Sequence, residues 1–296
     1  MESVDRPAFL DVPTLLEASQ PRRRTPLIHF LISGFVSAIV LSWVINHSGN
    51  SQAQQMLEPL IALGLILLIG TITLLAFITV RRVRAEQAAV AAVDELVQLR
   101  RFPEAGLMLQ AILSQPARSP VARAQSLLYL AMVLARYHRF EDSVAVYEYL
   151  LNEMPLDDAT EHGVKLGRAM SMLREENLLD ADRAIADLRR TSRGVESAGL
   201  ALVEIYRDVK TGHPAEAIEM FNSRLPAMRR QLGHRIADAW ALVARAYDQQ
   251  NRGDDAKRAF ENATLLAPLP ELLRRYPELG VMAEKYRPAT APMEVA

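Results

Sequence analysis

The sequence predicts an all-α protein: a two-helix transmembrane hairpin followed by an α-solenoid of about five helix pairs. Three observations carry that expectation. Two stretches, Leu27 to Asn46 and Leu60 to Val80, contain no Asp, Glu, Lys or Arg. Arginines flank this pair of stretches on its outer sides only. From Ala85 onward apolar residues recur at three- and four-residue spacing, punctuated by Pro, Gly and Asp, and no stretch alternates as a strand does.

Residues 1–25 hold Pro7, Pro13 and Pro21, end shortly after Arg22-Arg23-Arg24, and leave only Thr14 to Ser19 free to make a turn or two of helix. They are expected to form a disordered cytoplasmic arm. The hairpin occupies 26–84, with spans at 27–46 and 60–80. About twenty helical residues rise roughly 30 Å, the thickness of a bilayer's hydrocarbon core. Pro59 is expected in the first turn of the second span, where its missing N–H costs least. His47 to Met56 reads as a short polar loop without Lys or Arg, so the spans run antiparallel. Positive charge outside the hairpin and none at its tip places both termini in the cytoplasm. A cleaved signal peptide ending near Ser51-Gln52-Ala53 is the competing reading. The first apolar run is long for one, and cleavage would leave the second span in place. Ser33, Gly34, Ser37 and Ala38 set small residues where helices pack closely in lipid. His29 lies near the cytoplasmic end of its span, with no acidic partner in either span. No proline separates Pro59 from Pro103, so the second span is expected to continue into the first helix of the soluble part.

Beyond residue 84 the chain carries 27 Lys and Arg against 30 Asp and Glu. That balance argues against a nucleic-acid partner, which needs a basic surface. With no cysteine, a thiolate metal site, a disulfide and a cysteine nucleophile are all excluded. No phosphate-cradling glycine loop, nucleophile elbow or zinc motif occurs, so no catalytic, cofactor-binding or metal-binding residue is assigned and no cofactor is expected. Asp157-Asp158, Glu175-Glu176 and Asp254-Asp255 fall at helix ends or in turns, as caps or solvated charge. Glu161-His162 is read as the start of a helix.

The soluble part has an internal period. Its clearest unit is Trp240-x-x-Val243-Ala244-x-x-Tyr247, then Ala256-x-x-x-Phe260, then Pro268. A second reads Leu127-x-x-Leu130-Ala131-x-x-Leu134, Ser143-x-x-x-Tyr147, Pro155. Further second helices are marked by Ala105-x-x-x-Leu109, Ala181-x-x-x-Ile185 and Ala217-x-x-x-Phe221. The small residues 105, 143, 181, 217 and 256 are spaced by 38, 38, 36 and 39. These units resemble the tetratricopeptide repeat, whose pattern is W-x2-L-G-x2-Y…A-x3-F…P. The period exceeds that family's 34 residues, and the excess is placed in linkers at Ser114 to Val121 and Pro155 to Gly163.

The resemblance implies a domain over 85–286, closed by a C-terminal capping helix, with 287–296 a disordered tail. It also implies that first helices line a concave surface where protein or peptide partners bind. Carried onto the two better-matched units, the groove positions are Gln125, Leu128 and Met132, and Asp238, Ala241 and Arg245. The clamp that chaperone-tail-binding members use is absent, since Leu128 and Met132 stand in its place. The layout is similar to that of bacterial inner-membrane repeat proteins associated with haem synthesis. The function expected is that of a multi-pass, membrane-anchored scaffold touching the bilayer through two spans. A tethered helical-repeat enzyme or nucleic-acid-binding module is the alternative.

Overall fold

The computed structural model describes residues 10–21, 33–34, 36–37, 39–40, 43, 51–191 and 197–286, with side chains of the longest helix described from Ala62 onward. Among these residues there is no strand, and every regular element is helical. The expected first span lies outside the described residues, except that Ser33, Gly34, Val36, Ser37, Ile39, Val40 and Trp43 are helical and exposed. His29, Ala38 and the tail 287–296 also lie outside them.

After the short helix α1 (Val12–Ala18) comes α2 (Ser51–Gln98), a single helix of 48 residues. At 1.5 Å per residue it is roughly 70 Å long. It starts earlier than expected, so residues 51–56 are helix rather than loop, and Pro59 lies in the helix interior. The reason is local: Gln52 to Leu57 are good helix formers with no glycine or proline among them. From Leu63 to Val80 no apolar side chain is buried: Leu65, Leu68 and Ile78 are half-buried and the rest exposed, with Ile66, Leu67 and Phe77 each more than 60% exposed. One 18-residue window has mean hydropathy 2.6 and none of it is buried. Thr71, Thr73 and Thr79 turn their hydroxyls back onto carbonyls one turn earlier, at 2.7, 2.8 and 2.8 Å, so these polar groups are already satisfied without water. The helix runs uninterrupted through Arg81 to Ala85 and becomes one-sided, burying Val90 and Val93.

The described residues fall into two compact units divided between Tyr129 and Leu130. In the first, α2 is followed by α3 (Phe102–Leu113) and the beginning of α4 (Pro120–Arg136). The Glu86 carboxylate accepts the backbone N–H groups of Arg118 and Ser119 at 3.2 and 3.0 Å, tying the loop before α4 to α2. Tyr129 donates to Asp94 at 2.8 Å. The arm is folded rather than disordered between Leu10 and Gln20: Leu10, Val12 and Leu15 are buried and α1 packs on α3. Arg123 fastens it, donating from Nε to the Ser19 hydroxyl (3.2 Å) and from Nη2 to the Leu16 carbonyl (3.1 Å). A residue far along the chain supplies that clamp, which local composition could not reveal.

The second unit continues with α5 (Phe140–Glu153), α6 (Asp158–Arg174), α7 (Leu178–Thr191), α8 (Ala198–Thr211), α9 (Pro214–Gln231), α10 (Ile236–Gln249) and α11 (Gly253–Leu266). Successive helices pack pairwise, and the first helices α6, α8 and α10 also pack on one another in turn. Most of the expected linker 155–163 is helix, because Asp157 caps α6 by accepting the Thr160 N–H at 2.6 Å.

One turn recurs five times along the chain. Arg100, His138, Glu176, Gly212 and Asn251 all adopt the left-handed conformation, with φ from 59° to 78°. The next residue's N–H reaches back five residues to the carbonyls of Leu96, Leu134, Met172, Asp208 and Tyr247, at 2.8–3.0 Å. This bond satisfies a carbonyl left over at the end of the preceding helix. Five residues after each turn stand Ala105, Ser143, Ala181, Ala217 and Ala256, every one 0% exposed. At four of the turns the residue after the left-handed one also binds an acid three positions on: Arg101–Glu104, Arg139–Asp142, Asn177–Asp180 and Arg252–Asp255. The 38-, 38-, 36- and 39-residue period is therefore written in the backbone as well as in the side chains.

Between α5 and α6 the approach is close enough to require glycine. A Cβ on Gly167 would lie 2.5 Å from Cζ of the buried Tyr147. Gly167→Ala is expected to cost about 1–3 kcal/mol through overpacking, read as a lowered melting temperature in detergent.

Candidate functional site

The first helices of the pairs can be aligned by counting back from each left-handed turn residue. Met132, Met170, Tyr206 and Arg245 then share one position, six residues before the turn. Arg136, Arg174 and Lys210 share another, two residues before it. Arg174 on α6, Tyr206 on α8 and Asp238 on α10 stand at different positions of this register, and all three meet the residues that follow α11.

Those residues form α12 (Leu269–Arg275), a 3-10 turn (Pro277–Leu279) and α13 (Gly280–Lys285). Pro268 ends the preceding element, as the sequence implies. Leu272, Tyr276, Leu279 and Met282 are buried. Tyr276 is 0% exposed, edge-on to Tyr206 of α8 with ring centroids 5.3 Å apart. The Arg174 guanidinium of α6 lies 5.3 Å over the same ring. Arg275 Nη1 donates to Asp238 Oδ1 of α10 at 2.5 Å, and Arg235 Nε lies 3.7 Å from the other carboxylate oxygen. The Glu278 carboxylate faces Tyr206 closely enough to raise its pKa. At the far end Lys285 and Tyr286 both donate to Asp248, at 2.6 and 2.7 Å, and Tyr286 packs beside Phe260.

The electrostatics follow from this packing. Burial pushes the Tyr276 phenol up to about 12, with Asp238 adding to the rise while Arg174, Arg235 and Arg275 oppose it. Burial likewise raises Tyr206, reinforced by Glu278. His138 is held below its ordinary value by burial and then by the charges of Arg174, Arg136 and Arg274. The region is thus a packed aromatic contact bordered by arginines, with Asp238 as the acid that receives a cation from the C-terminal segment.

The six positions carried over from the repeat pattern fall in different environments. Gln125 and Met132 are exposed and Leu128 is half-buried. Arg245 is half-buried, beside Asp248. Asp238 and Ala241, expected at a groove surface, are 1% and 0% exposed and belong to the packed interior. The correction has one physical cause for Asp238: the C-terminal segment folds back over α10 and pairs with it. Ala241 sits within the core that joins α8, α10 and α11. Arg174 and Tyr206 were not among the expected positions, because their units match the repeat pattern weakly and no local spacing shows that Tyr276 comes to rest against both. His162 on α6 hydrogen-bonds the Ser197 hydroxyl (2.9 Å), which itself caps α8. Among the described residues no group of three His, Asp or Glu side chains could hold a metal ion.

No protein-family model, curated protein or solved structure matches the chain.

Proposed function

We propose that this chain is a membrane-anchored tetratricopeptide-repeat scaffold. A two-span hairpin holds an α-solenoid of about five helix pairs at the cytoplasmic face of a bacterial inner membrane, where it gathers partner proteins or peptides. The observation that carries the reading is α2. It is apolar with no buried side chain from Leu63 to Val80, then buries one face as the first helix of a pair. A helix apolar all round needs lipid or other protein to cover it. Because α2 carries both the apolar run and the first helix of a pair, the α3 that packs on it is joined to the bilayer without a flexible leash.

The docked arm supports the hairpin. Residues 10–21 pack against α3 and α4, so they lie on the same side of the membrane as the repeat domain. If Leu60 to Val80 crosses once, the chain between Pro21 and Arg81 must cross an even number of times. The other charge-free stretch there is Leu27 to Asn46. Arginines outside the hairpin then favour the cytoplasm for both ends. The fivefold turn supports the repeat reading, and confinement to a surface raises effective concentration, so weak peptide contacts can hold an assembly.

Protease added to sealed spheroplasts expressing the chain should leave the repeat domain intact, and a photocrosslinker at Gln125, Met132 or Arg245 should capture a discrete protein. Digestion of the domain would overturn the topology. A purified chain that turned over a substrate or bound RNA, with no protein captured, would overturn the scaffold role.

A further inference from the structure

We infer that the C-terminal segment Leu269 to Glu278 is a built-in ligand for the face formed by α6, α8 and α10, and that the partner this face takes is a protein segment with an arginine directly before an aromatic residue. The inference rests on the scaffold reading and names the chemistry of its partner.

Capping the last pair requires covering only α10 and α11, and residues 285–286 do that through Asp248 and Phe260. Tyr276 goes further. It reaches back past α10 to Tyr206 on α8 and Arg174 on α6, so the segment straps three successive first helices. Its contacts are those of a recognition motif: a guanidinium on a buried carboxylate, and next to it a ring held between an aromatic edge and a cation. Asp238 selects the cation and the Tyr206–Arg174 pair selects the ring.

The fit is incomplete. Arg174 Nε, Arg275 Nε and the Glu278 Oε1 are buried without a hydrogen-bond partner. Buried polar groups left unpaired weaken an interaction relative to one that pairs them. The segment therefore holds the face by proximity as well as by complementarity. A tethered ligand has an effective concentration that can reach about millimolar, which masks the face until a better-matched segment arrives.

The test uses the full chain in detergent micelles and a labelled peptide of residues 269–285. Tyr276→Ala in the chain removes the anchor of the tethered segment, and fluorescence anisotropy should show the peptide binding this variant at least about tenfold more tightly than the unsubstituted chain. A peptide carrying Arg275→Glu and Tyr276→Ala should not bind. Should the Tyr276→Ala chain lose its helical melt, a protease site inserted after Leu266, at the exposed C-terminal end of α11, serves instead: after cleavage, excess labelled peptide should exchange into the face of the unsubstituted chain. Three results would overturn the inference. They are no peptide uptake by a folded chain in either format, uptake of the substituted peptide equal to the original, or uptake accompanied by dimerisation, which would make a second copy the occupant. None of these would remove crosslinks at Gln125 and Met132, on a different helix, so failure here is distinguishable from failure of the scaffold reading.

Discussion

Replacing Phe221 by alanine is expected to cost the folded chain about 3–5 kcal/mol, the range for emptying a buried phenylalanine site. Phe221 on α9 is 2% exposed and meets Trp240 of α10 edge-on, with centroids 4.8 Å apart. It therefore joins one pair of helices to the next, and the loss combines a cavity with a broken aromatic contact worth about 0.5–1.5 kcal/mol. Urea unfolding of the detergent-solubilised chain should show an earlier midpoint with an unchanged slope. Phe221→Leu, which refills most of the space, should recover a large part of the loss. A cost below about 1 kcal/mol for the alanine variant would contradict the packing described, since surface positions stay within about half that value.

Arg123→Ala should release the N-terminal arm. Arg123 is 6% exposed and donates to both the Ser19 hydroxyl and the Leu16 carbonyl, so its removal leaves Ser19, itself buried, with a lost partner. Hydrogen bonds to a charged group contribute about 1.5–3 kcal/mol each, and a local loss of about 2–4 kcal/mol follows for the docked state. Amide exchange in residues 12–20 should accelerate roughly thirty- to a thousandfold, at tenfold per 1.4 kcal/mol, while α10 and α11 keep their protection. Arg123→Lys should fail to rescue it, because a lysine places a single compact ammonium where a planar fork is needed. Unchanged exchange in the arm would show that burial of Leu10, Val12 and Leu15 suffices, and would leave the same-side argument resting on packing alone.

The positions that sequence reasoning identified best are those whose role is local. Ala105, Ser143, Ala181, Ala217 and Ala256 are small because two helices cross there, and all five are fully buried. The continuity of α2 through Arg81 to Ala85 was legible from the absence of proline and glycine. Where the reading fell short, a distant segment intervened. The arm was expected to be disordered apart from a turn or two of helix over Thr14 to Ser19, yet α1 is docked, because Arg123 and α3 receive it. Asp238 has the spacing expected of a groove residue, but Arg275 lies on it and it is buried.

By itself, then, the sequence determined the helical class, the long charge-free run before Arg81 and the period of the pairs. Each depends on residues a few positions apart, through helix propensity, amphipathic spacing and the small side chain at a crossing. Only the tertiary structure decided which helix faces stay open. That depends on where the C-terminal segment comes to rest, and its resting place is chosen by Tyr276 and Arg275 finding Tyr206, Arg174 and Asp238 from three helices at once. Such a many-body fit leaves no period in the chain to read.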